Sequence, residues 1–187
     1  MDEAGIDKAA IVHSSTAYGY DNSYVAAAVA AVPSRFTAVC SIDVMAPDAV
    51  QTFDYWLGRG CTGMRLFTTG STLPDQATWF VDPKTYPFWE HAAAKNIPVC
   101  MQMKQEGLPL LRQIMDRFPK VTMILDHLAL DTFGASRIAW GSNFPNSVGT
   151  LSELLDAARK AFSFASAEQR DWIFGRTAQR LYPKLAE

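Results

Sequence analysis

The chain alternates short, nearly continuous apolar runs with segments of helical length. Six apolar runs are typical of buried strands: 9–12, 36–42, 63–67, 97–103, 121–125 and 137–140. Helical segments lie between or after them: 23–32, 47–57, 86–95, 110–118, 151–162 and one that a capping-box pattern opens at 166–169. Strands that are apolar over nearly their whole length are typically buried on both faces, and their alternation with helices is typical of a parallel sheet. The order predicts an α/β fold.

Polar side chains lie at or near the carboxyl end of each of these strands. They are His13-Ser14-Ser15, Ser41 and Asp43, Arg65 and Thr68, Gln102 and Lys104, Asp126-His127, and Ser142-Asn143. A (β/α)8 barrel builds its active site from this rim, whereas an open doubly wound sheet uses its carboxyl edge only around a switch point. No glycine-rich nucleotide-binding motif is present. Six contributing strands therefore favour a TIM-type (β/α)8 barrel.

The chain is short for a complete barrel of this kind. Its 187 residues accommodate about six βα units, whereas eight units need about 250 residues. Between the strands that end near Leu125 and begin near Arg137, too few residues remain for the crossover that parallel neighbours require. We therefore predict one incomplete barrel domain over 1–187, with a deletion near 129–133.

Composition and charge exclude several functional classes. The net charge of −2 gives no reason to expect nucleic acid or an anionic membrane as a partner. The longest apolar run, Val25 to Val32, is too short to span a membrane, and no basic segment precedes it as in a signal peptide. Cys40, Cys61 and Cys100 are odd in number and widely spaced, which is typical of buried free thiols in a reducing compartment. We expect a cytoplasmic protein that binds a small molecule, with a homo-oligomer as one alternative for its assembly.

Several sequence blocks occur in the order expected of the amidohydrolase-related family. They are "MDEAGIDKAAIVHSS", "YGYDNSY", "RFTAVCSID", "RGCTGMRLF", "ILDHLA", "FGASRIAWGSNFP" and "WIFGRTAQRLYP". The chain resembles the branch that contains metal-dependent hydrolases, dicarboxypyrone and sugar lactonases, and aminocarboxymuconate-type decarboxylases. Members of this family are eight-stranded barrels. The resemblance implies that this chain carries strands two to six and eight, and that it begins after the first strand.

The resemblance implies a divalent metal such as zinc, but most ligand positions differ in this chain. The family's first strand carries a His-x-His pair, and this chain begins after it. Gln102 stands where the fifth strand commonly ends in a histidine, and Asn143 stands where the eighth strand supplies an aspartate. Only His127, in "LDHLA", matches a family ligand. We therefore expect no complete metal site and no cofactor in this chain.

Asn143 and His127 are the predicted catalytic residues. The amide of Asn143 can orient a water or a substrate carbonyl, since neutral donors stabilise an oxyanion, but it cannot act as a general base. Dicarboxypyrone-type lactonases are regarded as working without a metal, so the resemblance still permits hydrolysis. The alternative for Asn143 is structural, with its side chain bonding its own backbone in an Asx turn. The alternative for His127 is a histidine hydrogen-bonded under a loop.

Arg65 lies in an otherwise apolar strand, where an unpaired guanidinium is very costly. It must meet a carboxylate, and the alternatives are Asp43, Asp126 or a carboxylate of the substrate. We predict that Arg65, His127 and Gln102 bind the substrate.

Other polar positions have structural interpretations. His13 ends a strand, but the resemblance places no ligand there, so a site role is the weaker alternative. His91 is expected on the outer face of a helix. Asp21 or Asn22 is expected to cap the helix that begins at Ser23.

The predicted activity of the intact parent is hydrolysis of a lactone or similar ester bond in a small carboxylated ring compound. One alternative is non-oxidative decarboxylation of an aromatic or muconate acid. Another is a non-catalytic barrel fragment that serves as a binding or assembly subunit. Whether this 187-residue chain is itself active is left open.

Overall fold

The structure is a computed structural model that describes residues 1–69, 79–125 and 134–187. Five strands form one sheet in sequence order: β1 (Ala9–Val12), β2 (Phe36–Cys40), β3 (Cys61–Phe67), β4 (Val99–Gln102) and β5 (Met123–Leu125). The pairs β2–β3, β3–β4 and β4–β5 are parallel. Consecutive parallel strands with helices between them are the βα arrangement of a TIM-type barrel. The predicted fold class is confirmed.

Helices follow most of the strands. The α-helices are α1 (Ser15–Tyr18), α2 (Ser23–Ala31), α3 (Ala49–Leu57), α4 (Tyr86–Lys95), α5 (Leu108–Arg117), α6 (Leu151–Ala161), α7 (Ala167–Asp171) and α8 (Thr177–Leu181). A π-helical turn, Trp172–Arg176, joins α7 to α8. Short 3-10 turns occupy Asp2–Ala4, Trp79–Val81, Pro83–Thr85, Gln105–Gly107, Ala135–Arg137 and Pro183–Leu185. Within the described ranges, no helix combines the length and the apolar character needed to cross a membrane.

The described residues fall into two compact units. Unit 1 comprises 1–10, 34–36 and 134–187, and unit 2 comprises 11–33, 37–69 and 79–125. In unit 1, α7 begins with the predicted capping box, in which the Ser166 hydroxyl accepts from the Gln169 N–H and the Gln169 side chain accepts from the Ser166 N–H. A second capping box, Thr150 with Glu153, opens α6.

Aromatic side chains form much of the core of unit 2. Phe53 on α3 and Phe88 and Trp89 on α4 are buried. The rings of Phe53 and Phe88 lie 5.2 Å apart, so they join the two helices. The Trp89 indole N–H donates to the Thr85 hydroxyl at 3.0 Å, which satisfies the polar atom of a buried ring. Burial of each such side chain contributes about 1.5–3 kcal/mol.

Cys40 and Cys61 form a disulfide between neighbouring strands, with their Cα atoms 6.1 Å apart. The prediction of free thiols is therefore wrong for this pair. Cys100 on β4 is buried and keeps its thiol outside any disulfide, as predicted. The pairing depends on the adjacency of β2 and β3, which brings the two Cα atoms within the usual disulfide range. Cysteine spacing alone contains no information on that adjacency.

The predicted strand at 137–140 is wrong. A 3-10 turn ends at Arg137, and the Trp140 N–H donates to the carbonyl of Ile173 at 2.8 Å, in the π-helical turn. Arg137 and Ala139 are exposed, so the run is not a buried one. The backbone hydrogen bond of Trp140 thus goes to a helical segment of unit 1 and not to a neighbouring strand. The predicted deletion near 129–133 lies outside the described residues.

Candidate functional site

Arg65 and Gln102 lie on adjacent strands of unit 2, and their side chains are hydrogen-bonded. β3 and β4 pair so that Arg65 is in register with Cys100, and Phe67 with Gln102. The Arg65 guanidinium donates to the amide oxygen of Gln102. Both side chains are half-buried. The structure therefore brings together two of the predicted substrate-binding residues at the carboxyl end of the sheet.

Phe67 gives the Arg65 guanidinium an aromatic neighbour. Positions 65 and 67 share one face of β3 because side chains alternate along a strand. The guanidinium carbon lies 5.0 Å from the centre of the Phe67 ring, which is cation–π distance. The Trp79 indole N–H donates to the Phe67 carbonyl at 3.1 Å. The end of β3 is thus held in place by contacts on its backbone and on its side chains.

The segments after β3 and β4 are joined through Thr69. Its φ of 56° is in the left-handed region, which is uncommon for a β-branched residue. The Thr69 hydroxyl accepts from the Lys104 N–H at 2.9 Å and donates to the Thr68 carbonyl at 2.8 Å. Backbone strain of this kind is found where the surrounding structure must fix a precise position, often at a ligand site.

Asp43, one predicted partner of Arg65, has a different contact. Its Oδ1 accepts a hydrogen bond from the Met45 N–H at 2.9 Å, and the ion pairs formed within the described ranges do not join Asp43 to Arg65. Because Asp43 and Arg65 form no ion pair, the Asp43 alternative for Arg65 is wrong. The negative charge of Asp43 acts on Tyr20, since burial and this charge raise the pKa of the Tyr20 phenol above its usual value. Asp126, the second alternative, lies outside the described residues.

His13 is buried at the end of β1 and is used structurally. Its Nε2–H donates to the Gly19 carbonyl at 2.9 Å, which holds the loop that follows β1. The backbone N–H of His13 donates to the carbonyl of Val39 at 2.8 Å, in the neighbouring strand. These contacts support the structural interpretation of His13.

Asp21 and Asn22, the two predicted caps of α2, make different contacts. Asp21 accepts a hydrogen bond from the Ser23 N–H at 3.0 Å, and hydrogen bonding to Ser23 lowers the pKa of the Asp21 carboxyl. Asn22 occupies the N-cap position but makes no capping hydrogen bond. Its side chain is fully buried and contacts Ser41. Asp21 thus satisfies an N–H of the first turn from the position before the N-cap, and the capping prediction is wrong for Asn22.

His91 lies on α4 and bonds to the neighbouring helix. Its Nε2–H donates to Oδ1 of Asp54 on α3 at 2.7 Å. This hydrogen bond lowers the pKa of the Asp54 carboxyl. The His91 side chain is half-buried against α3, and this contact supports its predicted structural role.

Asn143 is exposed and lies in a turn of unit 1. Its φ is 52°, in the left-handed region that asparagine tolerates better than most residues. Its carbonyl accepts from the Ser147 N–H at 3.0 Å, and the neighbouring Ser142 hydroxyl accepts from the Phe144 N–H at 3.2 Å. An Asx turn from Asn143 is excluded because Pro145, two residues on, has no N–H. The left-handed backbone conformation at this position therefore suits asparagine. The side-chain hydrogen bond of the turn comes from Ser142.

His127 lies outside the described residues, so its predicted roles in catalysis and substrate binding stay predictions. The roles of Asn143 also stay predictions.

The described donors do not fit a catalytic zinc ion. In the parts of the chain that the structure describes, no three His, Cys, Asp or Glu side chains are close enough to hold a metal. The amide oxygen of Gln102, where the resemblance implies a histidine, accepts a hydrogen bond from a cationic guanidinium that would repel a divalent ion. Zinc in proteins is bound by imidazole, thiolate or carboxylate, and not typically by amides. We derive no catalytic step through a metal.

Comparison with solved structures shows the same fold in several proteins. A probable 2-pyrone-4,6-dicarboxylic acid hydrolase from Acinetobacter baumannii, with citric acid bound, has a TM-score of 0.80 at 14% identity, over 97% of this chain and 85% of that chain. An amidohydrolase from Burkholderia multivorans with bound zinc has a TM-score of 0.80 at 16% identity, over 98% and 85%. A 2,6-dihydroxybenzoate decarboxylase from Rhizobium has a TM-score of 0.76 at 16% identity, over 98% and 86%. At these identities the likeness establishes the fold alone.

Comparison of sequences identifies the family. No curated protein matches the chain. The amidohydrolase family model matches two segments that together span nearly all of it, residues 1–130 and 128–184. With its consecutive parallel strands, this chain belongs to the amidohydrolase family and has the fold of an incomplete (β/α)8 TIM-type barrel.

Proposed function

We propose that the protein is a hydrolase that acts on a lactone or similar ester bond of a small ring compound carrying a carboxylate. The observation that carries the proposal is the Arg65–Gln102 pair at the carboxyl ends of β3 and β4. Arginine binds carboxylates through two parallel hydrogen bonds, and TIM-type barrels build their sites at this rim. The fold shared with a protein described as a probable 2-pyrone-4,6-dicarboxylic acid hydrolase, which has citric acid bound, supports a carboxylated substrate.

In this proposal Arg65 binds the substrate carboxylate and Gln102 orients the guanidinium. Fixing the ring in this way favours hydrolysis because it holds the reacting carbonyl in a constant position. Water attacks that carbonyl, His127 binds the substrate, and Asn143 orients the water or the carbonyl. Asn143 cannot accept the proton of the water, so the general base is a different group. The roles of His127 and Asn143 rest on the family resemblance.

A second candidate reaction is decarboxylation of an aromatic or muconate acid. The fold shared with the Rhizobium 2,6-dihydroxybenzoate decarboxylase favours it, and an arginine that binds carboxylates serves both reactions. The products distinguish them, because hydrolysis opens the ring and decarboxylation releases CO2. A third candidate is a non-catalytic subunit that binds the acid without converting it.

The test compares wild type, Arg65→Met and a control variant, Arg112→Met. Arg112 is an exposed arginine on α5 that pairs with Asp116 at 3.0 Å. We expect 2-pyrone-4,6-dicarboxylate to bind the wild type and the control alike, and Arg65→Met to weaken binding at least about tenfold, or roughly 1.4 kcal/mol. The melting temperature of Arg65→Met should change little. Loss of stability with unchanged affinity of the folded fraction would assign Arg65 to the scaffold and contradict the proposal.

We also propose a cytoplasmic location. Disulfides such as Cys40–Cys61 are rare in the reducing cytosol. Thiol trapping in intact cells, followed by fractionation, tests whether the protein is cytoplasmic and whether this disulfide forms there.

A further inference from the structure

We infer that Asn22 and Ser41 are positioning residues for Arg65. A continuous series of hydrogen bonds runs from Asn22 through Ser41 to the backbone of Arg65, and from the Arg65 side chain to Gln102. All four residues lie in unit 2. The inference rests on the proposed function in that Arg65 is the residue that binds the substrate carboxylate.

Asn22 uses its whole side-chain amide in this series. The residue is 0% exposed. Its Nδ2 donates to the carbonyls of Ser41 at 2.8 Å and Tyr20 at 3.0 Å, and its Oδ1 accepts from the Ser41 N–H at 2.8 Å. The side chain thus pairs with both backbone groups of Ser41, as a neighbouring strand would do. An apolar or charged residue at position 22 would leave a backbone group of Ser41 without its hydrogen bond. Because these polar groups are removed from water, no solvent bond would replace the lost one.

Ser41 transmits this constraint to β3. The ladder between β2 and β3 ends at the register pair Cys40 with Met64. One residue further along both strands, the Ser41 hydroxyl donates to the Arg65 carbonyl at 2.8 Å. This bond extends the connection between the strands to the residue that carries the guanidinium. Arg65 is therefore fixed by Ser41 at its backbone and by Gln102 at its side chain.

A second polar contact between β2 and β3 provides a matched control. The hydroxyls of Thr37 and Thr62 are hydrogen-bonded near the amino ends of these strands, and Thr37 is fully buried. Loss of this bond should lower stability in the way that loss of the Ser41 bond does. It lies away from Arg65 along the strands, so it should leave the guanidinium unchanged.

The experiment measures the position of the guanidinium directly. The side-chain Nε–H signal of Arg65 is identified in a two-dimensional proton–nitrogen NMR spectrum by its loss in Arg65→Met. We expect this signal to shift or broaden in Ser41→Ala and in Asn22→Ser, to be restored in Ser41→Thr, and to stay in place in Thr37→Val. Affinity for 2-pyrone-4,6-dicarboxylate should fall about threefold or more in Ser41→Ala and stay unchanged in Thr37→Val.

The outcomes separate this inference from the proposed function. If Ser41→Ala and Thr37→Val lower the melting temperature equally, and neither changes the Arg65 signal, the positioning role is overturned. If the wild type does not bind the dicarboxylate, the proposed function fails, while the NMR signal still decides whether Ser41 positions Arg65. Asn22→Ser provides a second test of the series should Ser41→Ala fail to fold.

Discussion

The Gln102 amide oxygen accepts a hydrogen bond from the Arg65 guanidinium across two adjacent parallel strands. The amide orients the guanidinium without adding a negative charge. A carboxylate at the same position would orient and also neutralise it. We therefore interpret glutamine at this position as suited to a cation that binds an anionic substrate.

Substitution of Gln102 by glutamate tests this interpretation. Gln102→Glu places a carboxylate beside Arg65 with little change of shape, so we expect the melting temperature to rise or stay unchanged. Affinity for a dicarboxylate should fall at least about tenfold, since the new carboxylate occupies the guanidinium. Gln102→Leu removes the hydrogen bond that orients the guanidinium, so the affinity should fall in this variant too. Thermal unfolding measures the melting temperature and titration calorimetry the affinity, and unchanged affinity in Gln102→Glu would contradict the interpretation.

Local sequence patterns were sufficient for most elements of unit 2. The predicted bounds of α4, 86–95, are the observed ones. Pro87 is favourable in the first turn of a helix, and asparagine is favourable just after its end, where Asn96 has a φ of 53°. The prediction for 137–140 was wrong because a run with only three apolar residues does not distinguish a strand from an extended segment that bonds to a helix. The Cys40–Cys61 pair could not be predicted, since it depends on which strands are neighbours.

The candidate site was predictable only in part. Arg65 is visible in the sequence because a cation interrupts an apolar strand, and Gln102 because the resemblance implies a histidine there. The role of Asn22 was missed because asparagine before a helix is typical of a cap. Only the tertiary arrangement shows that its side chain bonds to Ser41. The partners of a buried amide are set by packing, for which the local sequence gives no signal.

The metal content of the purified protein is a second prediction. Catalytic zinc needs about three protein ligands of the imidazole, thiolate or carboxylate type. Gln102 cannot supply one while its amide oxygen bonds to Arg65. Elemental analysis after dialysis should therefore find well under one zinc per chain. Stoichiometric zinc that is lost in His127→Ala would show that a metal site exists and would reverse this expectation.

The Cys40–Cys61 disulfide gives a third prediction. In denaturant without reductant, thiol titration should detect only Cys100. After reduction it should detect all three cysteines of the sequence. The closed loop has a sequence separation of 21, for which the chain-entropy description gives a loss of about 3 kcal/mol in Cys61→Ser. Cys100→Ser is the control for loss of a buried thiol, and three reactive thiols before reduction would contradict the pairing.

The Asp54–His91 hydrogen bond between α3 and α4 makes the fourth prediction, on acid stability. The bond lowers the pKa of Asp54 in the folded protein. A lowered carboxyl pKa stabilises the folded state fully above the unfolded pKa of about 3.9, and this contribution is lost as the pH falls through the folded pKa. Because the Asp54 carboxyl is exposed and solvent screens the interaction, we expect a contribution of less than about 1 kcal/mol. Denaturant unfolding of Asp54→Asn should show a weaker dependence on pH below about 4 than wild type. In the His91→Gln background the same substitution should have little further effect.

Asn143 allows the backbone requirement of its turn to be separated from the chemistry of its amide, which is the fifth prediction. Its φ of 52° suits asparagine and glycine, whereas alanine in the left-handed region costs roughly 1–2 kcal/mol. Asn143→Gly should therefore keep the melting temperature near that of wild type, and Asn143→Ala should lower it. The turn bond in both variants still comes from Ser142. If the amide orients water or substrate, Asn143→Gly should lose turnover by about tenfold or more. Affinity for the dicarboxylate, which we propose Arg65 binds, should change little. Equal turnover in Asn143→Gly and wild type would show that Asn143 serves only the backbone of its turn and not the reaction.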